Sequence, residues 1–132
     1  MAEILAGLLE RFEAVPAAAN ADQWLQWRGR FLRADCLVGI GAVPYRLSIE
    51  RGRIARCERG PFVMPSWCFA IRGDAEAWHG HWEPMPAPHY HDIFALSKRG
   101  LLRIEGDLHP LMANVFYFKM LLALPRRQAG RH

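Results

Sequence analysis

The chain has 132 residues, of which 52% are hydrophobic and 23% charged. It is long enough for one domain with its own core and too apolar to be disordered. A formal net charge of +4 permits contact with nucleic acid or anionic lipid. The basic residues are spread along the chain, however, with one local cluster at Arg126, Arg127 and Arg131, so the charge reads as solubility and nucleic acid is not expected as a partner.

Ile4, Leu5, Leu8, Leu9 and Phe12 recur at helical spacing, with Glu3, Glu10, Arg11 and Glu13 opposite, which predicts a helix from about residue 2 to Ala14. The basic flank and cleavage site of a signal peptide are missing, which gives a cytoplasmic reading. Pro16 to Ala19 reads as a linker, and Asn20 or Asp22 as the cap of a second helix carrying Trp24, Leu25 and Trp27. Its two indoles share a face and are expected to lean on a sheet, and the N-terminal helices together occupy 2–30.

Strand signals come next. Cys36, Val38 and Ile40 alternate, with Gly39 and Gly41 marking a bulge or a close approach. Tyr45, Leu47 and Ile49 alternate with Arg46, Ser48 and Glu50, giving one buried and one wet face. Arg51-Gly52 turns into a weaker strand from Arg53 to Cys57, and Trp67 to Ile71 forms a fourth after the Gly60-Pro61 break. Cys36, Cys57 and Cys68 match no zinc spacing and suit a reducing compartment as small buried hydrophobes.

Asp74 caps a short helix through Ala77 and Trp78, and the prolines between Glu83 and His89 make that segment an extended loop. Ile93, Phe94 and Leu96 mark another short helix, and Leu101, Leu102 and Ile104 a fifth strand. The sum is α+β, one sheet with helices on one side, in a single domain 1–132: sheet and lid 34–106, a C-terminal helix 108–124 and a basic tail 125–132.

That last helix is apolar on nearly every face. Asp107 is placed to cap it and Pro125 to stop it. Leu108, Leu111, Met112, Val115, Phe116, Lys119 and Leu122 point around the whole cylinder, unlike an ordinary amphipathic helix. A bilayer, a second protein surface or a cavity with an apolar ligand would cover it, and full burial as a central helix is the plainer alternative. Pro110 and Lys119 argue against a span, since the run is already shorter than the ~20 apolar residues required.

From Tyr45 to Leu124 the chain resembles the sterol carrier protein type 2 family of small lipid-binding domains. The likeness rests on the order of elements, on the hairpin turning at Arg51-Gly52, and on one segment: Phe94-Ala95, Gly100, the strand Leu101 to Glu105, Gly106-Asp107 and an apolar helix. It implies a five-stranded, mostly antiparallel sheet covered on one side by helices, with a C-terminal helix closing an apolar tunnel. The implied function is non-enzymatic carriage of a lipid, fatty acyl group or polycyclic compound.

On that reading Phe69, Ile71, Phe94, Leu101, Ile104, Met112, Val115, Phe116 and Met120 are the wall. Trp78 and Trp82, beside the Pro-rich loop, form a lid over the mouth or merely anchor the loop. No cofactor is expected, because neither a P-loop nor a dinucleotide fingerprint occurs. Transient membrane contact is compatible with this reading, as monomer or homodimer.

Two rival classes stand beside it. The surplus apolar face of the last helix would serve a dimerisation or docking module. His79, His81, His89 and His91, with Asp92 and Glu83 near them, would serve a metal-dependent hydrolase or lyase. Their spacing matches no metal motif, and i, i+2 side chains on a helix point apart, so solvent-exposed loop histidines are the simpler account.

Overall fold

Period-two alternation sorts the strands' side chains between two faces, and the sheet is assembled from that sorting. The computed structural model describes residues 2–62 and 67–129. Strands β1 (Arg33–Ile40), β2 (Val43–Glu50), β3 (Arg53–Arg59), β4 (Phe69–Gly73) and β5 (Leu102–Gly106) lie in the order β3-β2-β1-β4-β5. All neighbours are antiparallel except β1 with β4. The architecture is therefore the expected α+β arrangement with a mixed, mostly antiparallel sheet.

One face carries Cys36, Val38, Ile40, Tyr45, Leu47, Ile49, Phe69 and Ile71 into the main core. The other is charged: Arg46 faces Asp35 at 3.9 Å and Arg72 pairs with Glu105 at 2.8 Å. Leu37 lies on that charged face, in register with Arg46 and Ala70, and is nevertheless buried, because long arginine stems cover apolar neighbours while their heads stay wet.

Helices α1 (Ala2–Glu13), α2 (Val15–Asn20) and α3 (Gln23–Arg28) precede the sheet, and α4 (Ala75–His81) and α5 (Ile93–Lys98) separate β4 from β5. The stretch expected as a linker, Pro16 to Ala19, is helical. Pro16 sits in the first turn of α2, where its missing N–H has no helical partner to lose. Asp22 caps α3, accepting from the Leu25 amide at 3.0 Å. Asn20 is spent elsewhere: its side chain donates to the Ile54 carbonyl and accepts from the Ile54 amide at 2.8 Å, docking α2 on β3.

The sequence places Trp24 and Trp27 against the sheet, and the structure corrects this. Leu25 turns inward instead, leaving the two indoles 74% and 55% exposed. Cys68 is also exposed, whereas Cys36 is buried, which pushes its thiol pKa upward. Among the described residues no helix is long and apolar enough to cross a membrane.

The C-terminal segment departs most from expectation. It is three helices, α6 (His109–Ala113), α7 (Val115–Leu122) and α8 (Leu124–Ala129). Asn114 breaks the first join with φ −132° and ψ 43°, its side-chain amide donating to the Pro110 carbonyl at 2.9 Å. Pro125 opens the first turn of α8 rather than stopping the chain's helix, so the tail is helical as far as Ala129, and Arg131 lies outside the described residues.

Candidate functional site

The C-terminal helices turn one face to the core. Tyr117, Phe118, Leu121 and Leu122 of α7 are buried, with Leu111 of α6. Phe118 meets the buried Phe69 edge-on, ring centroids 5.2 Å apart. Tyr117 donates its hydroxyl to the Gly52 carbonyl at 2.7 Å, tying α7 to the β2–β3 turn.

Phe69 and Ile71 are fully buried on the core face. Met112 and Phe116 are not: they are 56% and 64% exposed and look outward. On the helical wheel Met112, Phe116 and Met120 share one face, and Leu111, Phe118, Leu121 and Leu122 share another; the second face is the buried one, and a run apolar all round does not declare which face goes inward.

Phe94 of α5, Leu101 and Ile104 at β5, and Met120 of α7 are half-buried and pack against the core, and Val115 is half-buried beside them in sequence on α7. The junction of α7 with α5, and of α5 with β5, forms a partly exposed seam. Ile104 stands opposite the buried Ile71 in the sheet register, linking seam to interior. Lys119 bridges the seam. Its ammonium lies 2.8 Å from Asp92, which also caps α5, and 5.5 Å from the centre of the Phe94 ring. The ion pair is about one-third exposed on each side, so it holds α7 beside α5 at little net energy, about 0–1 kcal/mol.

Trp78 and Trp82 are no lid: both are fully buried. Trp78 Nε1 donates to the Gly39 carbonyl at 2.8 Å and Trp82 Nε1 to the Leu122 carbonyl at 2.7 Å. The rings lie 5.1 Å apart, and Phe12 stacks on Trp82 at 6.2 Å. The tryptophans anchor α4 because an indole buries a large surface and still needs one acceptor, which the strand and the end of α7 provide.

The histidines do not assemble a metal centre. His79 pairs with Glu83 at 3.4 Å on the surface, His89 and His91 are exposed, and His81 is buried. Among the described residues no group of three or more His, Cys, Asp and Glu could hold a metal ion. His81 is structural. Its Nδ1 lies 2.8 Å from the Tyr90 carbonyl, an acceptor, and 3.1 Å from the Arg126 guanidinium, a donor, while Nε2 is buried without a partner among the described residues. Arg126 donates to the His81 carbonyl at 2.7 Å and to the His91 carbonyl at 3.1 Å, strapping α8 across the end of α4.

Burial is the chief cause holding the His81 pKa below its ordinary value. The Tyr90 contact opposes that shift, and the Arg126 charge reinforces it. The unfolded chain therefore takes up this proton first as pH falls. Stability is complete above the ordinary histidine pKa of about 6.5 and declines below it. The urea midpoint is expected to drop between about pH 7 and 5, and less steeply in His81→Gln; parallel curves would acquit His81.

Hollows open on the surface among the described residues. One of 470 Å³ lies between α1 and Arg59, one of 520 Å³ on the charged side of β1 and β2, and one of 410 Å³ at the β4–β5 edge beside Leu101. None of these three touches the C-terminal helices.

A five-stranded mixed sheet, helices on its apolar face and a closing C-terminal helical segment define a class of small α+β domains. Solved structures give that class its name: the chain has the sterol carrier protein 2 fold. It superposes on sterol carrier protein 2 with a TM-score of 0.71 at 15% identity, covering 89% of this chain and 94% of that one. The conserved hypothetical protein TT1886 of Thermus thermophilus, for which a sterol carrier role has been suggested, gives 0.64 at 13% identity over 88% and 86%. The ubiquinone synthesis protein UbiJ-SCP2 gives 0.56 at 14% identity over 87% of each chain. No family model matches the sequence, and no curated protein matches it.

Proposed function

We propose that the protein is a non-enzymatic binder of an apolar small molecule, a lipid, fatty acyl group or polycyclic compound, taken up at the seam between α5, β5 and α7. The carrying observation is the superposition on sterol carrier protein 2 across 94% of that chain. The composition of the seam supports it: Phe94, Leu101, Ile104, Val115 and Met120 supply apolar contact, and Phe69 and Ile71 lie behind them. Met112 and Phe116, exposed on the outside, take no part as wall. Burying apolar surface is worth ~25 cal/mol per Å², so an acyl chain or ring system binds usefully without a specific polar partner.

Native mass spectrometry of the purified protein, followed by organic extraction, reads any retained guest. Displacement of a fluorescent fatty-acyl probe by fatty acids and sterols reads the empty protein. Ile104→Arg, which sets a charge in the seam, is expected to weaken probe binding at least tenfold, the loss of roughly one well-buried side-chain contact. A protein that retains no added mass and binds no probe sinks this reading.

A further inference from the structure

Four of the eight large apolar side chains left in water among the described residues lie on or beside two adjoining helices, α3 and α7. Trp24 and Trp27 on α3, and Phe31 just beyond it, are 74%, 55% and 86% exposed; Phe116 on the adjoining α7 is 64% exposed. Arginine lies over three of these four rings. The Arg28 guanidinium sits 5.4 Å from the centre of the Phe116 ring, and that of Arg30 sits 4.0 Å from Trp27 and 4.8 Å from Phe31. The first turns of α3, α6 and α7 contain no acidic residue. Asp22 accepts from the Leu25 amide, and Asp92 pairs with Lys119.

We propose that this α3–α7 end docks on an anionic phospholipid bilayer, with Trp24, Trp27, Phe31 and Phe116 entering the headgroup boundary and Arg28 and Arg30 meeting lipid phosphates. Indole and phenyl rings favour that boundary, and arginine keeps its head among phosphates while its stem lies on the rings. A second copy fits the patch less well. A two-fold contact brings both copies' Arg28 and Arg30 into one interface, four guanidinium groups of like charge. A single-stranded nucleic acid stacks bases on open ring faces, and here guanidinium groups already lie over Trp27, Phe31 and Phe116. A bilayer needs neither symmetry nor free ring faces.

The inference goes beyond apolar-ligand binding and does not depend on it. The test is flotation of the full chain with vesicles of phosphatidylcholine alone and of equal parts phosphatidylcholine and phosphatidylglycerol, at low and high salt. Co-flotation with the anionic vesicles, weakened by salt, is expected. Arg28→Gln and Arg30→Gln should each weaken it about fivefold, and Trp27→Ser and Phe31→Ser each roughly tenfold. All four side chains are exposed, so thermal midpoints should match the parent chain, which keeps the comparison free of unfolding.

Absence of flotation with both vesicle types overturns the proposal, as does a quadruple variant that floats like the parent. Self-association abolished by Trp27→Ser without flotation assigns the patch to a second copy, and capture of an RNA oligomer without flotation assigns it to nucleic acid; either also overturns it. Vesicle binding without displacement of the acyl probe removes the carrier reading and leaves this one standing.

Discussion

Trp82→Ala is expected to cost most of the protein's stability. Trp82 is fully buried at the end of α4, and four elements meet on it. Its ring contacts Trp78 and Phe12, its indole N–H satisfies the Leu122 carbonyl, and its own carbonyl accepts from Arg11 at 2.7 Å. Arg11 continues to the Pro125 carbonyl at 3.0 Å, so α1, α4, α7 and α8 are joined at one residue. Truncating a buried tryptophan to alanine costs about 3–5 kcal/mol, against a total of roughly 5–15 for a domain this size.

The Leu122 carbonyl, stranded at a helix end, adds about 1–3 kcal/mol when its donor goes. Trp82→Phe separates the two contributions, keeping most of the ring while orphaning the carbonyl. Urea denaturation should rank Trp82→Ala as most damaging, Trp82→Phe as intermediate, and Trp24→Ala, at an exposed position, within about 0.5 kcal/mol of the parent. A loss below about 1 kcal/mol for Trp82→Ala would mean these four elements are held together elsewhere.

That ranking is not legible in the sequence, because periodicity reports which positions are apolar but not which apolar surface gets covered. Tyr45, Leu47 and Ile49 are readable because a strand has two faces and the partner residues Arg46, Ser48 and Glu50 declare which is wet. The strand order beyond each hairpin, with its one parallel pairing of β1 and β4, is a non-local result that no window of sequence contains.

Trp24 and Trp78 show the failure plainly. Both sit on short helices among small or polar neighbours, and pattern alone puts each in the other's place. Short helices have no sustained stripe to orient them; their direction is fixed by single long-range bonds, such as Asn20 on Ile54 and Trp78 on Gly39. The candidate site is half legible. Phe94 and Ile104 are half-buried against the core on α5 and β5, which the strand signal and the short helix before it place side by side. Met112 and Phe116 are missed because a helix apolar on nearly every face does not declare its inner side.

Close approaches also set the exposed end of the fold at α3, and Gly52 is one that a single substitution can probe. It stands in the β2–β3 turn with φ +81°, and a Cβ there would lie 2.8 Å from the Gln26 carbonyl oxygen and 3.1 Å from the Gly29 backbone. Its own carbonyl receives the Tyr117 hydroxyl. The turn, α3 and α7 thus converge where no side chain fits. Gly100 provides the control, because it shares a positive φ of +77° but faces open space.

Gly100→Ala should cost only the left-handed backbone penalty, about 1–2 kcal/mol. Gly52→Ala should add about 1–3 kcal/mol of overpacking against backbone that has no rotamer to yield, for a total of about 2–5 kcal/mol. Equal losses in the two variants, measured by urea denaturation, would show that the turn stands clear of α3. In Gly52→Ala the relief of the clash pushes α3 away from Gly52, and with it Trp24, Trp27 and Phe31. The variant should therefore lose vesicle binding further than its stability loss accounts for, because the aromatic surface is positioned by the same contact that forbids the methyl group.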